Sequence, residues 1–374
     1  MDRKTTLSVP SDVYVTLTAR CNLRCLHCYG NYGVTVRKGL TGDQWCEIFK
    51  NLADAGVFFV NISGGEPTYH PEFIKIVRCL KKIGLHFILT TNGVFSTIIR
   101  DELLSAKHVV AGLKFSLDGP NSQSHTALRR VNGGKINPFI FDTTLENINF
   151  FSKRGFPITI ATCLHVENIE LIDEMADLVE TLHPISWFVS TLAPSGRAKL
   201  NKNIFVSDNR QDKTKWQQIK SRLIKKNIFL RYIDMPYAED YSESRSLYEC
   251  PAARWSCEIN SDGVVAPCTM CRVEIPQSSM KFENILESNI LNIWNGPVFK
   301  KFRGWQDTGC LGCNLQKECG KCIPQSFKWF NDPQSPPAFC VSKGEILGLS
   351  NLNSLRMRLS TNAKKENRDT RYFG

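Results

Sequence analysis

The 374-residue chain has no uninterrupted run of about eighteen apolar residues, the length a membrane helix needs, and its first twenty residues hold no apolar stretch of secretory-signal length. A membrane location and export are therefore not expected, and the chain reads as cytoplasmic. Acidic residues are the scarcer charge, 36 Asp and Glu against 47 Lys and Arg, and the resulting +11 favours an acidic partner. Nucleic-acid motifs are also absent, and the basic residues are scattered through helical stretches and a tail, Leu355 to Arg371. That distribution argues for a solvated surface or an acidic peptide, not for a nucleic acid. Disorder is excluded by composition, since 42% hydrophobic residues suffice for a large core, expected as two domains.

What the chain has in quantity is cysteine. Of fifteen, eleven fall into two constellations. The first is Cys21-x3-Cys25-x2-Cys28. The second runs Cys250-x6-Cys257, Gly263-x4-Cys268, Cys310-x2-Cys313-x5-Cys319-x2-Cys322 and ends at Cys340. In a reducing cytosol clustered cysteines are metal ligands more often than disulfides, and an odd total leaves one thiol unpaired in any case. Cys46, Cys79 and Cys163 sit inside helix or strand patterns and read as small buried hydrophobes. Cys271, three residues past Cys268, stays open between cluster ligand, hydrogen-atom donor and packing residue.

Residues 12 to 192 alternate β-rich runs with amphipathic stretches, the pattern of βα units around a parallel sheet. The strands are expected at Asp12–Leu17, Val57–Ile62, His86–Thr91, Val109–Leu117, Ile158–Leu164 and Ile185–Thr191. Helical patterns between them include Thr41–Ala55, Pro71–Ile83, Phe141–Arg154 and Ile169–Leu182. The expected fold is α/β, a partial (β/α)6 barrel followed by a small cysteine-rich domain. Its divisions are a barrel over 1–200, a bridging segment with one helix over 201–249, the cysteine-rich domain over 250–345, and a basic tail over 346–374. The cysteine-rich segment looks too poor in apolar residues to stand without metal.

Three thiolates on one tight loop can bind three irons of a cubane and leave the fourth iron open. Zinc would ask for a fourth ligand, and no further Cys or suitably spaced His pair follows. His27, within the loop, is read as packing against a cofactor base, with ligation the alternative.

Cys21-Asn-Leu-Arg-Cys25-Leu-His-Cys28-Tyr29 resembles the signature of the radical S-adenosylmethionine superfamily, and Ser63-Gly64-Gly65-Glu66-Pro67 resembles that family's second motif. The resemblance implies that the open iron chelates S-adenosylmethionine and that an electron from the cluster cleaves it to a 5'-deoxyadenosyl radical. Gly64, Gly65, Glu66 and Pro67 would then hold the methionine amino group, the glycines by letting backbone carbonyls approach closely. Ser116 and Asp118 resemble the polar pair facing the ribose or methionine part, and Arg129 the arginine on the cofactor carboxylate, with Arg130 as an alternative. Asn92 is read as a cofactor contact or a turn residue, and Gly196–Arg197 as a family-like run or an exposed loop.

The second constellation is similar to the SPASM extension of radical enzymes, although Cys319 and Cys322 are separated by two residues where the family pattern has three. Carried over, Cys250, Cys257, Cys268 and Cys322 would hold one auxiliary cluster, and Cys310, Cys313, Cys319 and Cys340 a second. The implied cofactors are S-adenosylmethionine and three 4Fe-4S clusters. The implied activity is hydrogen abstraction from a substrate carbon, with oxidative modification of a ribosomally made peptide, acidic by the charge argument, as the first expectation. With about twenty residues ahead of Cys21, a fused leader-binding domain is not expected, so a separate leader-binding protein is, together with a low-potential donor such as a flavodoxin or ferredoxin. Thr269, where sulfatase-maturating relatives place a carboxylate, disfavours that reaction. The alternatives are oxidation or epimerisation of a carbohydrate or aminocyclitol, and a non-catalytic zinc-stabilised interaction module.

Overall fold

The computed structural model describes residues 5–33, 39–131, 133–192, 195–205, 213–233, 250–308 and 322–335. Its strands are β1 (Asp12–Thr16), β2 (Phe59–Ser63), β3 (His86–Thr91), β4 (Val110–Ser116), β5 (Ile158–Leu164), β6 (Ser186–Thr191), β7 (Phe229–Ile233), β8 (Ser256–Ile259), β9 (Val264–Ala266) and β10 (Glu283–Asn284). The helices are α1 (Gly42–Asp54), α2 (Phe73–Ile83), α3 (Thr97–Ser105), α4 (Ser122–Thr126), α5 (Phe139–Ser152), α6 (Ile172–Leu182), α7 (Lys213–Ile224), α8 (Cys271–Glu274), α9 (Ile290–Trp294), α10 (Pro297–Thr308) and α11 (Ile323–Phe330).

All ten strands form one sheet in the order β10-β9-β8-β1-β2-β3-β4-β5-β6-β7, parallel from β8 to β7 and antiparallel at β8, β9 and β10. All six expected strands are present, each within two residues of its expected ends. The bridging segment holds the expected helix, α7, and also β7, a seventh parallel strand that the polar composition around it conceals.

A parallel strand covered on both faces reads as a continuous apolar run. Here β5 alternates instead: Ile158, Ile160, Thr162 and Leu164 are buried, while Thr159, Ala161 and Cys163 are partly exposed. The buried set faces the helices and the other set faces the barrel's inside. Against the outer face pack Trp45 and Phe49 of α1, Ile76 and Leu80 of α2, and Ile148 and Phe151 of α5, all within one apolar core. Helix α1 starts at a capping box, in which Gln44 N donates to Thr41 Oγ1 (3.3 Å) and Thr41 N to Gln44 Oε1 (2.9 Å). Among the described residues no helix is long and apolar enough to cross a membrane.

The same core continues into the cysteine-rich segment, whose few apolar residues are buried against the barrel. β8 lies parallel beside β1, and Trp294, Phe299 and Phe302 are fully buried in the cluster that contains Val13 and Val15. The N-terminal strap reinforces the join. Leu7 N donates to Arg254 O, Ser11 N to Trp255 O, and Trp294 Nε1 to Leu7 O. Cys310, Cys313, Cys319 and Cys340, and the basic tail over 346–374, lie outside the described residues.

Phe49→Ala removes a fully buried ring stacked on Trp45 and is expected to cost about 3–5 kcal/mol. Thr41→Ala, which opens the capping box, should cost about 1 kcal/mol. Urea denaturation of anaerobic protein measures both, and equal effects would contradict this placement of the core.

Candidate active site

Strand β1 delivers the chain to a loop, residues 17–33, at the C-terminal end of the barrel, where βα connections gather functional groups. Cys21, Cys25 and Cys28 are all on this loop and all partly exposed. Burial pushes the Cys21 thiol up to about 12 and that of Cys25 to about 11, although Arg129 opposes the rise at Cys25. Without a cation the thiolates are unfavourable, so iron binding here is coupled to proton release.

The loop is locked by its neighbours. Leu26 N donates to Leu128 O (2.8 Å), and Leu23 bridges to Val131. From the other side comes Arg197, only 7% exposed. Its backbone N donates to Cys28 O (2.9 Å), its Nε to Cys25 O (2.8 Å), and its Nη1 to Tyr32 O (2.7 Å) and Asn31 Oδ1 (3.0 Å). Gly196 has φ +53°, and a Cβ there would lie 2.2 Å from Tyr29 O and 2.4 Å from Cys28 O. Gly196–Arg197 is thus a clamp on the cysteine loop, and the exposed-loop alternative is excluded by burial.

The Gly64–Gly65 segment approaches as closely. Gly65 N donates to Thr18 O and Glu66 N to Arg20 O, both at 2.8 Å. A Cβ on Gly65 would sit 2.2 Å from Arg20 O, and one on Gly64 2.5 Å from Thr18 O. Pro67 opens a 3-10 turn, Pro67–Tyr69, behind them. Glu66 is fully buried, and its carboxylate is occupied by the protein. Oε1 accepts from Thr68 Oγ1 and Thr91 Oγ1 (2.8 Å each), and Oε2 from Asn92 N (2.8 Å). Its visible work is to bolt the loop after β2 to the loop after β3. Asn92 extends that bolt to the cysteines, its Nδ2 donating to Asn22 Oδ1 (2.8 Å) while Asn22 Nδ2 donates to Val94 O (2.9 Å).

Ser116 lies at the end of β4 on the inner face and is partly exposed. Asp118 is fully buried, 2.7 Å from Arg129 Nε and 3.6 Å from His27 Nε2, and its Oδ1 accepts from Cys163 N (3.0 Å). Burial alone would raise its pKa, but the Arg129 guanidinium overrides this and holds the carboxylate well below its usual range. His27 is pulled down to about 3, by burial foremost, so its ring is neutral and Asp118 and Arg129 carry the buried charges. Arg130 turns away and bonds to Ala127 O and Gly134 O.

In the second constellation, Cys268 Sγ lies 3.4 Å from Cys271 Sγ, and Cys250 is close to both: after burial, Cys268 helps to raise the Cys250 thiol and Cys250 helps to raise that of Cys271, while the hydrogen bond from Cys271 lowers that of Cys268. Cys257 stands apart. Its register partner is Val13, which shares its side of the sheet, and both are fully buried in the apolar core. Cys322 caps the start of α11, which packs on α8, the helix that begins at Cys271.

Among the described residues no three His, Cys, Asp or Glu side chains converge as ligands of a single ion would. A cubane asks for less, because each thiolate binds its own iron. The three-thiol donor set and the two glycine approaches fit a cluster that leaves one corner to a chelating ligand.

Comparison with known proteins agrees with this geometry. The radical SAM superfamily model matches residues 15–179, and that of SPASM, an iron-sulfur cluster-binding domain, matches 250–323. The chain is 28% identical over 344 residues to an AdoMet-dependent heme synthase of Methanosarcina barkeri, covering 87% of this chain and 94% of the relative. It is 26% identical over 337 residues to a PqqA peptide cyclase of Rhizobium meliloti, covering 89% and 87%. In structure it is similar to Streptococcus suis SuiB bound to S-adenosylmethionine, with a TM-score of 0.72 at 19% identity over 90% of this chain and 78% of that one. The chain is an enzyme that carries a radical SAM domain over residues 15–179, with a SPASM iron-sulfur domain built onto the edge of its barrel sheet.

Proposed function

We propose that this enzyme modifies a ribosomally made peptide oxidatively, removing hydrogen from a carbon to form a crosslink or a double bond. The observation that carries the reading is the convergence of Cys21, Cys25 and Cys28 with the Gly64–Gly65 approach at the mouth of a barrel whose inner face is partly exposed and polar. The PqqA peptide cyclase relative supports a peptide; the heme synthase relative, at similar coverage, sets the competing class, a small molecule. When bound, the cluster and S-adenosylmethionine supply the hydrogen-abstracting radical. The chain's own residues do the rest. Arg197 and Gly196 hold the loop of the three thiols, Glu66 and Asn92 fix the loops beside them, and Ser116 is the polar group offered to the nucleotide end, while Asp118 and Arg129, buried and paired with each other, stand beside His27 of the cysteine loop.

The auxiliary ligand set is read as Cys250, Cys268 and Cys322, completed by Cys271 in place of Cys257. Cys271 is fully buried and 3.4 Å from Cys268, which favours ligation and gives it no face from which to donate hydrogen to a substrate. Cys310, Cys313, Cys319 and Cys340 remain proposed for the second auxiliary cluster.

Co-expression with a short precursor encoded nearby, followed by mass spectrometry, is expected to show a loss of two hydrogens. An unmodified precursor, with turnover of a small molecule instead, would transfer the reading to the competing class. The triple variant Cys21→Ala, Cys25→Ala, Cys28→Ala should make no 5'-deoxyadenosine under reduction; continued formation would contradict the assignment. Arg197→Met is expected to lower iron in the first cluster and slow nucleotide cleavage about tenfold or more, through a loop that no longer holds its sulfurs. Iron analysis separates the remaining pair. Cys257→Ala should keep about twelve irons and Cys271→Ala about eight. The reverse pattern would return the ligand role to Cys257.

A further inference from the structure

The inner face of the barrel holds a positive charge that the cofactor-binding groups do not use. Lys114 is on β4, two residues before Ser116 and on the same side of the strand. It therefore sits about 7 Å deeper in the barrel than Ser116, away from the cysteine loop. Its ammonium lies 3.6 Å from the centre of the Phe188 ring on β6. It makes no hydrogen bond or ion pair with any described residue. Burial foremost draws the Lys114 pKa down to about 8, and the nearby Arg231 pulls the same way. At neutral pH the group is still charged.

Arg231 is the register partner of Phe188 on β7, so its guanidinium leaves the sheet on the side where the ammonium rests. It lies close enough to Tyr14 on β1 to oppose the rise that burial gives that phenol's pKa. The groups around the two cations are neutral. Thr159 and Ser186 bond each other at 2.9 Å, and Ser190 lies 3.7 Å from Cys163 Sγ. The carboxylates on the same side of the sheet toward β1 have partners of their own: Asp12 bonds Ser11 and Asn61, and Glu258 accepts from Thr16 Oγ1 and Asn260 Nδ2.

Two like charges this close repel, and Lys114, half-buried, has lost hydration while Arg231 stays exposed beside it, so the ammonium is unfavourable until an anion enters. An ammonium over an aromatic face is held in place but keeps its hydrogen-bond donors free. A planar guanidinium beside it adds the fork that a carboxylate fits.

We infer that Lys114 and Arg231 form a carboxylate-binding subsite inside the barrel, which takes an Asp or Glu side chain of the substrate and thereby sets which neighbouring carbon faces the cysteine loop. The inference rests on the peptide reading for its substrate and on the strand register for its geometry. A substrate that lacks the carboxylate leaves two cations unpaired, which makes the subsite selective and not merely adhesive.

The test measures the reactivity of Lys114 in anaerobically reconstituted enzyme with S-adenosylmethionine present. Acetylation by acetic anhydride is followed by mass spectrometry of the peptide that carries Lys114. Three probes are compared: N-acetyl-glutamate methylamide, its glutamine counterpart, and glutarate. The glutamyl probe is expected to slow acetylation of Lys114 about tenfold at saturation, leaving surface lysines unchanged, and the glutamine counterpart to give no protection. In Arg231→Gln the glutamyl probe should be needed at about tenfold higher concentration; if that variant does not fold, the unsubstituted chain decides alone. Protection by the glutamine probe equal to that by the glutamyl probe would overturn the subsite. So would protection by no probe, a result that leaves the peptide reading standing. Protection by glutarate alone would support the subsite while removing the peptide as its source.

Discussion

Three thiols must be held on one short loop, in reach of three irons, before any iron arrives, and the loop has no hydrogen-bond ladder of its own to do it. The surrounding structure supplies the restraint from several directions. Residues after β2 approach through Gly64 and Gly65, Asn92 after β3 grips Asn22, Leu128 and Val131 pair with the loop's backbone, and Arg197 after β6 ties down the carbonyls of Cys25 and Cys28. Only a parallel arrangement brings the C-terminal ends of so many strands to one place. The barrel is thus less a container for the cysteines than the frame that keeps them converging.

That dependence explains which parts of the site were legible in the residues. Spacing alone marked Cys21, Cys25 and Cys28, whereas Gly64 and Gly65 were legible through resemblance to a family motif, and the structure supplies its reason, a backbone approach with no room for a side chain. Glu66 was legible as a site residue, but not in its role. Its carboxylate accepts from Thr68, Thr91 and Asn92, and those partners are remote or ambiguous along the chain. Arg197 was half-legible for the same reason. A Pro-Ser-Gly-Arg run reads as an exposed loop unless the carbonyls it bonds, about 170 residues earlier, are already placed.

The strands were legible wherever apolar residues run together, and least so at β7, whose Arg231 and Tyr232 interrupt the pattern. The division into domains followed composition, which marks the cysteine-rich segment but not how it packs. The cysteine-rich segment buries Trp294, Phe299 and Phe302 against the barrel's own core, so its few apolar residues need not enclose a core of their own. The same join accounts for Cys257. A strand laid parallel to β1 must turn alternate residues toward the helices, and Cys257 falls on the side of Val13 while Glu258 falls on the side of Tyr14. Register decides which side of the sheet a cysteine takes, and register is invisible in spacing.

Strand alternation also governs what the enzyme offers its substrate. Had the barrel been a filled one, the inward positions of β4, β5 and β6 would carry Val, Ile and Leu in layers. They carry Lys114, Ser116, Thr159, Cys163, Ser186 and Ser190 instead, all partly exposed, with Phe188 as the single large apolar ring in β6's inward set. A polar interior destabilises the barrel in isolation, because groups such as Lys114 lose water and gain no partner. The fold tolerates this because its main apolar core lies on the other face of the sheet, between strands and helices, and continues into the SPASM segment, while only a small second cluster, Leu128, Leu192, Ala198 and Ile204, packs against Cys163. Stability and recognition are therefore assigned to opposite faces of the same strands. Specificity can then change inside the barrel without disturbing the frame that aims the three thiols.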